Sequence, residues 1–202
     1  DETFTPPLAN ATPLIQKVRT TKPEMLIFAS TTISDLKLGL EKMNEFGLGD
    51  GRLPTISNGA AILDPDLRAN MNVAQLEGVM SVVANWGTSA QKDMSDEFRR
   101  RTGEPWATQH FLTTYGDMWI FKAALEAAGK ADRASVANAL RTMDLSNGPA
   151  KFFPGGRVKF DAAGRREGAG LLIVQWQNGV PVTPRIRRVA DDGRFLEIQP
   201  EI

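Results

Sequence analysis

The sequence predicts an α/β fold of parallel sheets flanked by helices, and three observations carry that prediction. Short apolar runs alternate with amphipathic stretches up to residue 85, the pattern of consecutive β/α units. Residues 89–143 then read as almost wholly helical. After Pro149 strand patterns return, and they culminate in "LLIVQWQNGVPVTP" (171–184).

Taken in order, Thr12 followed by Pro13 reads as an N-cap with proline at the first helical position, and Leu14, Ile15 and Val18 supply one apolar face. "EMLIFAS" (24–30) is continuously apolar, as expected of a strand buried on both faces of a parallel sheet. A helix follows from about Ser34, with Leu36, Leu40 and Met43 on one stripe and Gly47 as its stop. "RLPTIS" (52–57) is the next strand, Asp64-Pro65 opens a short helix or turn, and "EGVMSVVAN" (77–85) is a third strand.

Met94 and Phe98 mark one helix of the central block. Leu112, Tyr115, Trp119 and Leu125 mark a longer one ending at Gly129, and Asp132 caps a third containing Val136, Leu140 and Met143. Val158 and Phe160 alternate as a strand, with "DAAGR" as a turn. In the closing stretch Leu172, Val174 and Trp176 share one strand face, while Asn178-Gly179 supplies the two positive-φ positions of a type I′ hairpin. Pro181 cannot donate to a ladder, which assigns "VPV" to a sheet edge.

The totals narrow the function. The 202 residues suffice for one large or two small domains with real cores. Lys+Arg and Asp+Glu are both 24, and this neutrality argues against a nucleic-acid binder. The short basic runs Arg99–Arg101 and Arg185, Arg187, Arg188 read as solvated faces. No apolar run approaches the roughly 20 residues that span a bilayer. The absence of cysteine excludes disulfide frameworks, thiol nucleophiles and thiolate metal sites, and it fits an exported bacterial protein. "DETFTPPLAN" has neither the positive nor the apolar region of a signal peptide. The expectation is a cytoplasmic protein or a chain that does not begin where its gene does. Three strands precede the helical block, and the helices of 89–143 have almost no sheet to cover; their sheet is expected in sequence beyond this chain.

These stretches, in this order, resemble the periplasmic solute-binding proteins of ABC transporters, in the leucine/isoleucine/valine-binding branch with the type I periplasmic binding fold. The resemblance is carried by "LIQKVRTTKPEMLIFAS", "SDLKLGLEKMNEFGL", "LEGVMSVVANW", "TTYGDMWIFKAALEAAGKADRASVANALRTMD" and "GPAKFFPGGRVKFDAAGR" followed by the hairpin. It implies a two-lobed protein of which this chain is the carboxy-terminal part, the amino-terminal half being absent. Residues 1–87 would be a second-lobe segment of β/α units, 88–172 a mainly helical first-lobe segment, and 173–202 the return crossover and edge hairpin of the second lobe. A signal peptide would lie upstream, and the location would be periplasmic.

Catalytic signals are poor. His110 is the single histidine, and no GxSxG, GxxxxGK[ST] or GxGxxG occurs, so no enzyme and no cofactor is expected. Asp64-Pro-Asp66 reads as helix capping rather than a hard-metal site. By resemblance, Ser30, Thr31 and Thr32 would face the ligand cleft, although Thr32 or Ser34 is equally read as an N-cap. Asn58 stands where amino-acid binders of the family place an acidic residue for the ligand's ammonium; its other reading is a polar turn residue. A neutral amide cannot balance a desolvated cation, which weakens the case for an α-amino acid.

His110, Phe111 and Tyr115 would lie over the hinge side of the cleft, with Trp119 assigned to core packing. Asn85, Trp86, Val174 and Trp176 would form the hinge. The implied partners are a small solute (an amino acid, aromatic carboxylate or amide), an ABC transporter membrane permease, and the missing amino-terminal half or a partner copy. Two other readings are a cytoplasmic ligand sensor on the same fold and an α/β enzyme fragment.

Overall fold

A computed structural model describes the backbone of residues 1–189 and 195–199 and the side chains of residues 1–186. In chain order the first elements are α1 (Thr12–Thr21), β1 (Leu26–Ile27), α2 (Ile33–Glu45), β2 (Thr55–Asn58), α3 (Pro65–Asn70) and β3 (Met80–Val83). The helical block is α4 (Lys92–Thr102), α5 (Gln109–Ala128) and α6 (Arg133–Thr142). The strands β4 (Asp144–Leu145), β5 (Val158–Lys159), β6 (Leu172–Gln177), β7 (Val180–Val182), β8 (Ile186–Val189) and β9 (Phe195–Gln199) follow. The chain divides into two compact units: Asp1–Val83 with the chain from Leu172 onward, and Ala84–Leu171.

The first unit rests on a five-stranded sheet of order β1-β2-β3-β6-β7. β1, β2 and β3 are parallel, as their separation by helices requires, and β6 and β7 are antiparallel. The hairpin forms as its residues dictate: Asn178 and Gly179 take φ of 53° and 75°, and β7 with Pro181 stands at the sheet edge. The apolar stripe of α2 is fully used, with Leu36, Leu40 and Met43 at most 2% exposed. Val174 and Trp176 are wholly buried on one face of β6, and the Trp176 indole N–H donates to the Ile62 carbonyl at 2.8 Å.

Three readings need correction. Thr12 is not a cap: Ala11 precedes the first turn of α1, and the Asn10 carboxamide oxygen accepts the Thr12 N–H at 2.9 Å. "EMLIFAS" is not buried on both faces. Only Leu26–Ile27 pairs, at the sheet edge, and Met25 and Ile27 are 47% and 70% exposed because no layer covers that side among the described residues. Phe28, on the opposite face, packs into α2, where a Cβ at Gly39 would meet its ring at 2.3 Å. Trp119 is not a core residue: it is 40% exposed, edge-on to Tyr115.

The second unit is helical. Ile120 and Ala124 of α5 pack with Val136, Met143, Ala150 and Val158, over the two-stranded β4–β5 sheet. Asp132 caps α6 as expected, accepting the Ser135 N–H at 3.0 Å, and Asp64 caps α3 through the Asp66 N–H at 3.0 Å. α5 is apolar on more than its buried side, since Met118 and Phe121 are 62% and 46% exposed. The closing part of the 173–202 segment (190–194 and 200–202) and the side chains of Arg187 and Arg188 lie outside the described residues.

Candidate functional site

In the first unit the carboxyl ends of β1 and β2 lie side by side, because the strands are parallel and Ile27 pairs with Ile56. The residues that follow each strand therefore share one end of the sheet. Ser30, Thr31 and Thr32 leave β1 toward α2, and Asn58 ends β2. Ser30 is buried and its hydroxyl accepts the Thr32 N–H at 3.2 Å, while Thr31 and Asn58 are exposed.

Thr32 occupies the N-cap position of α2, yet its hydroxyl makes no capping bond. The first N–H groups of that helix are left facing the same sheet end, where the helix dipole favours an acceptor or anion. One turn in, Asp35 is buried and its Oδ1 accepts the Leu8 N–H at 2.9 Å; its Oδ2 has no partner among the described residues. Ser57, beside Asn58, likewise has a buried hydroxyl without a partner.

In the second unit the start of α5 carries an aromatic row. Phe111 stacks on Phe98 at 4.1 Å between ring centroids and neighbours Tyr115 at 5.8 Å. Tyr115 meets Phe152 edge-on at 5.2 Å and Trp119 at 6.2 Å. His110 is exposed at the head of this row. Ser30, Thr31, Thr32 and Asn58 thus come together in one unit, and His110, Phe111 and Tyr115 in the other.

Of the residues read as hinge, Asn85 and Trp86 are buried just after the chain leaves the first unit, whereas Val174 and Trp176 belong to that unit's sheet. The last pair of that sheet before both strands depart is Val83 with Leu172, so the two crossings run side by side. Asn85 donates to the Phe152 carbonyl at 2.9 Å. Gln91, wholly buried, donates to the Asn85 carboxamide oxygen at 3.0 Å and to the same carbonyl at 2.7 Å, and it accepts the Thr88 N–H at 2.9 Å. The Gln109 side chain accepts the Ala84 N–H at 2.6 Å. Gln91 and Gln109 escaped the sequence reading, although the spacing Thr88-x-x-Gln91 is that of a capping box and could have revealed the first.

Among the described residues no cluster of three His, Cys, Asp or Glu side chains could hold a metal ion, and no helix is long and apolar enough to cross a membrane. A sheet end of hydroxyls and amides beside a helix N-terminus can desolvate a small polar molecule and satisfy its acceptors without covalent chemistry.

A family model of periplasmic binding proteins matches residues 1–180. A Leu/Ile/Val-binding protein homolog from Brucella suis biovar 1 is 30% identical over 96 residues, which is 48% of this chain and 24% of that protein. The leucine binding protein LivK from Thermotoga maritima superposes with a TM-score of 0.74 at 14% identity, over 90% of this chain and 49% of that one. A solute binding protein of an ABC transporter from R. palustris, in complex with benzoate, gives 0.68 at 14% identity, over 91% and 48%. The transporter substrate binding protein LivJ from Streptococcus pneumoniae, in complex with isoleucine, gives 0.70 at 13% identity, over 91% and 51%. The chain therefore spans about half the length of these solved relatives. At such identities the superpositions establish the fold, a portion of the type I periplasmic binding architecture. With the family model covering 1–180 of 202 residues, the chain belongs to the periplasmic binding protein family.

Proposed function

We propose that this chain is the carboxy-terminal part of a two-lobed periplasmic receptor that captures one small organic solute and delivers it to an ABC transporter permease. In this reading the unit with the five-stranded sheet belongs to the second lobe, and Ala84–Leu171 belongs to the first. The observation that carries it is the open sheet end of the first unit, where Ser30, Thr31, Thr32 and Asn58 gather beside uncapped N–H groups of α2. The ligand lies at the carboxyl ends of parallel strands in open α/β sheets generally. The adjacent crossings at Val83 and Leu172 support a two-lobed protein. The rest of the first-lobe sheet comes from the amino-terminal half, which covers the exposed Met118 and Phe121 of α5.

The solute is a carboxylate with an uncharged, aromatic-compatible far end. The reason is Asn58: it offers neutral hydrogen bonds where an ammonium would need a carboxylate. The relatives named above are solved with benzoate and with isoleucine, so both chemistries occur on this fold.

A calorimetric panel on the full-length protein, with benzoate-type acids, leucine, valine and short amides, tests the reading. Aromatic acids are expected to bind and to be recovered unchanged. Submicromolar leucine or valine with no heat from the aromatic acids would refute the inference from Asn58. A product peak dependent on the protein would refute the receptor itself.

A further inference from the structure

We propose that the second unit carries a separate site for a small zwitterion whose ammonium and carboxylate are separated by a short apolar linker. The site is a cavity of about 330 Å³ within Ala84–Leu171, walled by Ile120, Phe153 and Leu171 and bearing Thr113, Asp117 and Arg166. It lies along α5 well past His110: Asp117 is seven residues, two helical turns or about 10 Å, farther on.

Three polar groups there lack the partners that the rest of the molecule gives to their kind. Thr20, Thr21, Thr102 and Thr142, all helical, send their hydroxyls back to the carbonyl four residues earlier at 2.8–3.0 Å. Thr113, also helical, does not, and its hydroxyl is buried with no partner among the described residues. Asp117 shares the face of Thr113, one turn on. It makes no ion pair or hydrogen bond among the described residues, and partial burial raises its carboxyl above the ordinary range.

Arg166 uses Nη1 on the Pro154 and Arg157 carbonyls, each at 3.0 Å, and lies over the Phe153 ring at 5.7 Å. Its Nε and Nη2 have no partner among the described residues, and Asp117 is not within ion-pairing distance. Opposite charges on one apolar cavity, not joined in an ion pair, complement a molecule that carries both charges at its ends. An ammonium would donate to Asp117 and Thr113, and a carboxylate would accept from Arg166. A singly charged ligand would leave one of the two protein charges partly desolvated and unmatched.

The test uses the full-length receptor with 4-aminobutyrate, butylammonium and butyrate as calorimetric probes. The expected result is that 4-aminobutyrate binds about tenfold or more tightly than either half-probe, the gain of one further charge-assisted hydrogen-bonded contact. Asp117→Asn should reduce it to the level of butyrate, while Thr113→Val should weaken it by a smaller factor. No binding of 4-aminobutyrate, as when the remainder of the protein fills the cavity, overturns the proposal. So does binding that ignores Asp117→Asn, which would place the probe at another site.

Discussion

The two units of this chain are built from similar proportions of apolar residues and bury them very differently. In the first, a continuous ladder from β1 to β7 gives α2 and α3 a sheet to cover, and Leu36, Leu63, Leu67 and Trp176 vanish from the surface. In the second, a 20-residue helix, apolar nearly all round, meets only a two-stranded sheet among the described residues, and Tyr115, Met118, Trp119 and Phe121 stay exposed. A helix apolar on every face is one designed to be covered on every face. The contrast teaches that burial follows the supply of sheet, not the hydrophobicity of the helix.

The sharpest way to break that contrast is a pair of tryptophans. Trp176→Ala removes a wholly buried side chain and strands the Ile62 carbonyl, and should cost about 3–5 kcal/mol in denaturant unfolding of the full-length protein. Trp119→Ala in the 202-residue chain should cost far less, and equal losses would erase the distinction. Next in size is Gln91→Ala. It leaves the Asn85 carboxamide and the Phe152 carbonyl short of a donor in a buried network, for about 1–3 kcal/mol. A change below the error of the measurement would mean that solvent already serves those groups.

Phe121→Ser should change the stability of the 202-residue chain by only about 0.5 kcal/mol, as for an exposed site. Binding of a hydrophobic dye should fall, and unchanged dye signal would locate the exposed apolar surface elsewhere. The smallest effect is electrostatic. Burial raises the Asp117 carboxyl, so the folded state holds its proton more tightly than the unfolded one. Stability from this group is therefore lost as pH rises from the unfolded value through the folded one. Asp117→Asn should be slightly more stable than wild type at neutral pH and indistinguishable below the ordinary carboxylate range. An advantage that persists in acid would contradict the sign.

What was legible in the sequence was local. The Asn178-Gly179 turn, the caps at Asp64 and Asp132 and the stripe of α2 follow from side-chain chemistry within a few residues, and all appear as read. The placement of β1 was not legible, because whether an apolar strand is central or at an edge depends on partners far away in sequence. The same reason misplaced Trp119, whose helical spacing announces an apolar face without saying what covers it. In the candidate site, Ser30, Thr31, Thr32 and Asn58 were singled out through the family resemblance, and the parallel pairing of β1 with β2 gathers them at one sheet end. The cavity at Asp117 was not legible, since it needs Arg166 and Leu171 from the far end of the unit.

The open side of β1 has a colloidal consequence. In a parallel strand successive residues turn their backbone groups to opposite sides, so Leu26 and Phe28 serve β2 and Met25 and Ile27 present theirs outward. That edge is apolar, and the chain has 24 positive and 24 negative side chains, leaving no net charge to hold two copies apart. Attraction at short range then meets no repulsion at long range. The concentration at which this chain stays dispersed therefore depends in part on how well one strand edge is covered, and a single outward lysine at Ile27 is expected to raise it.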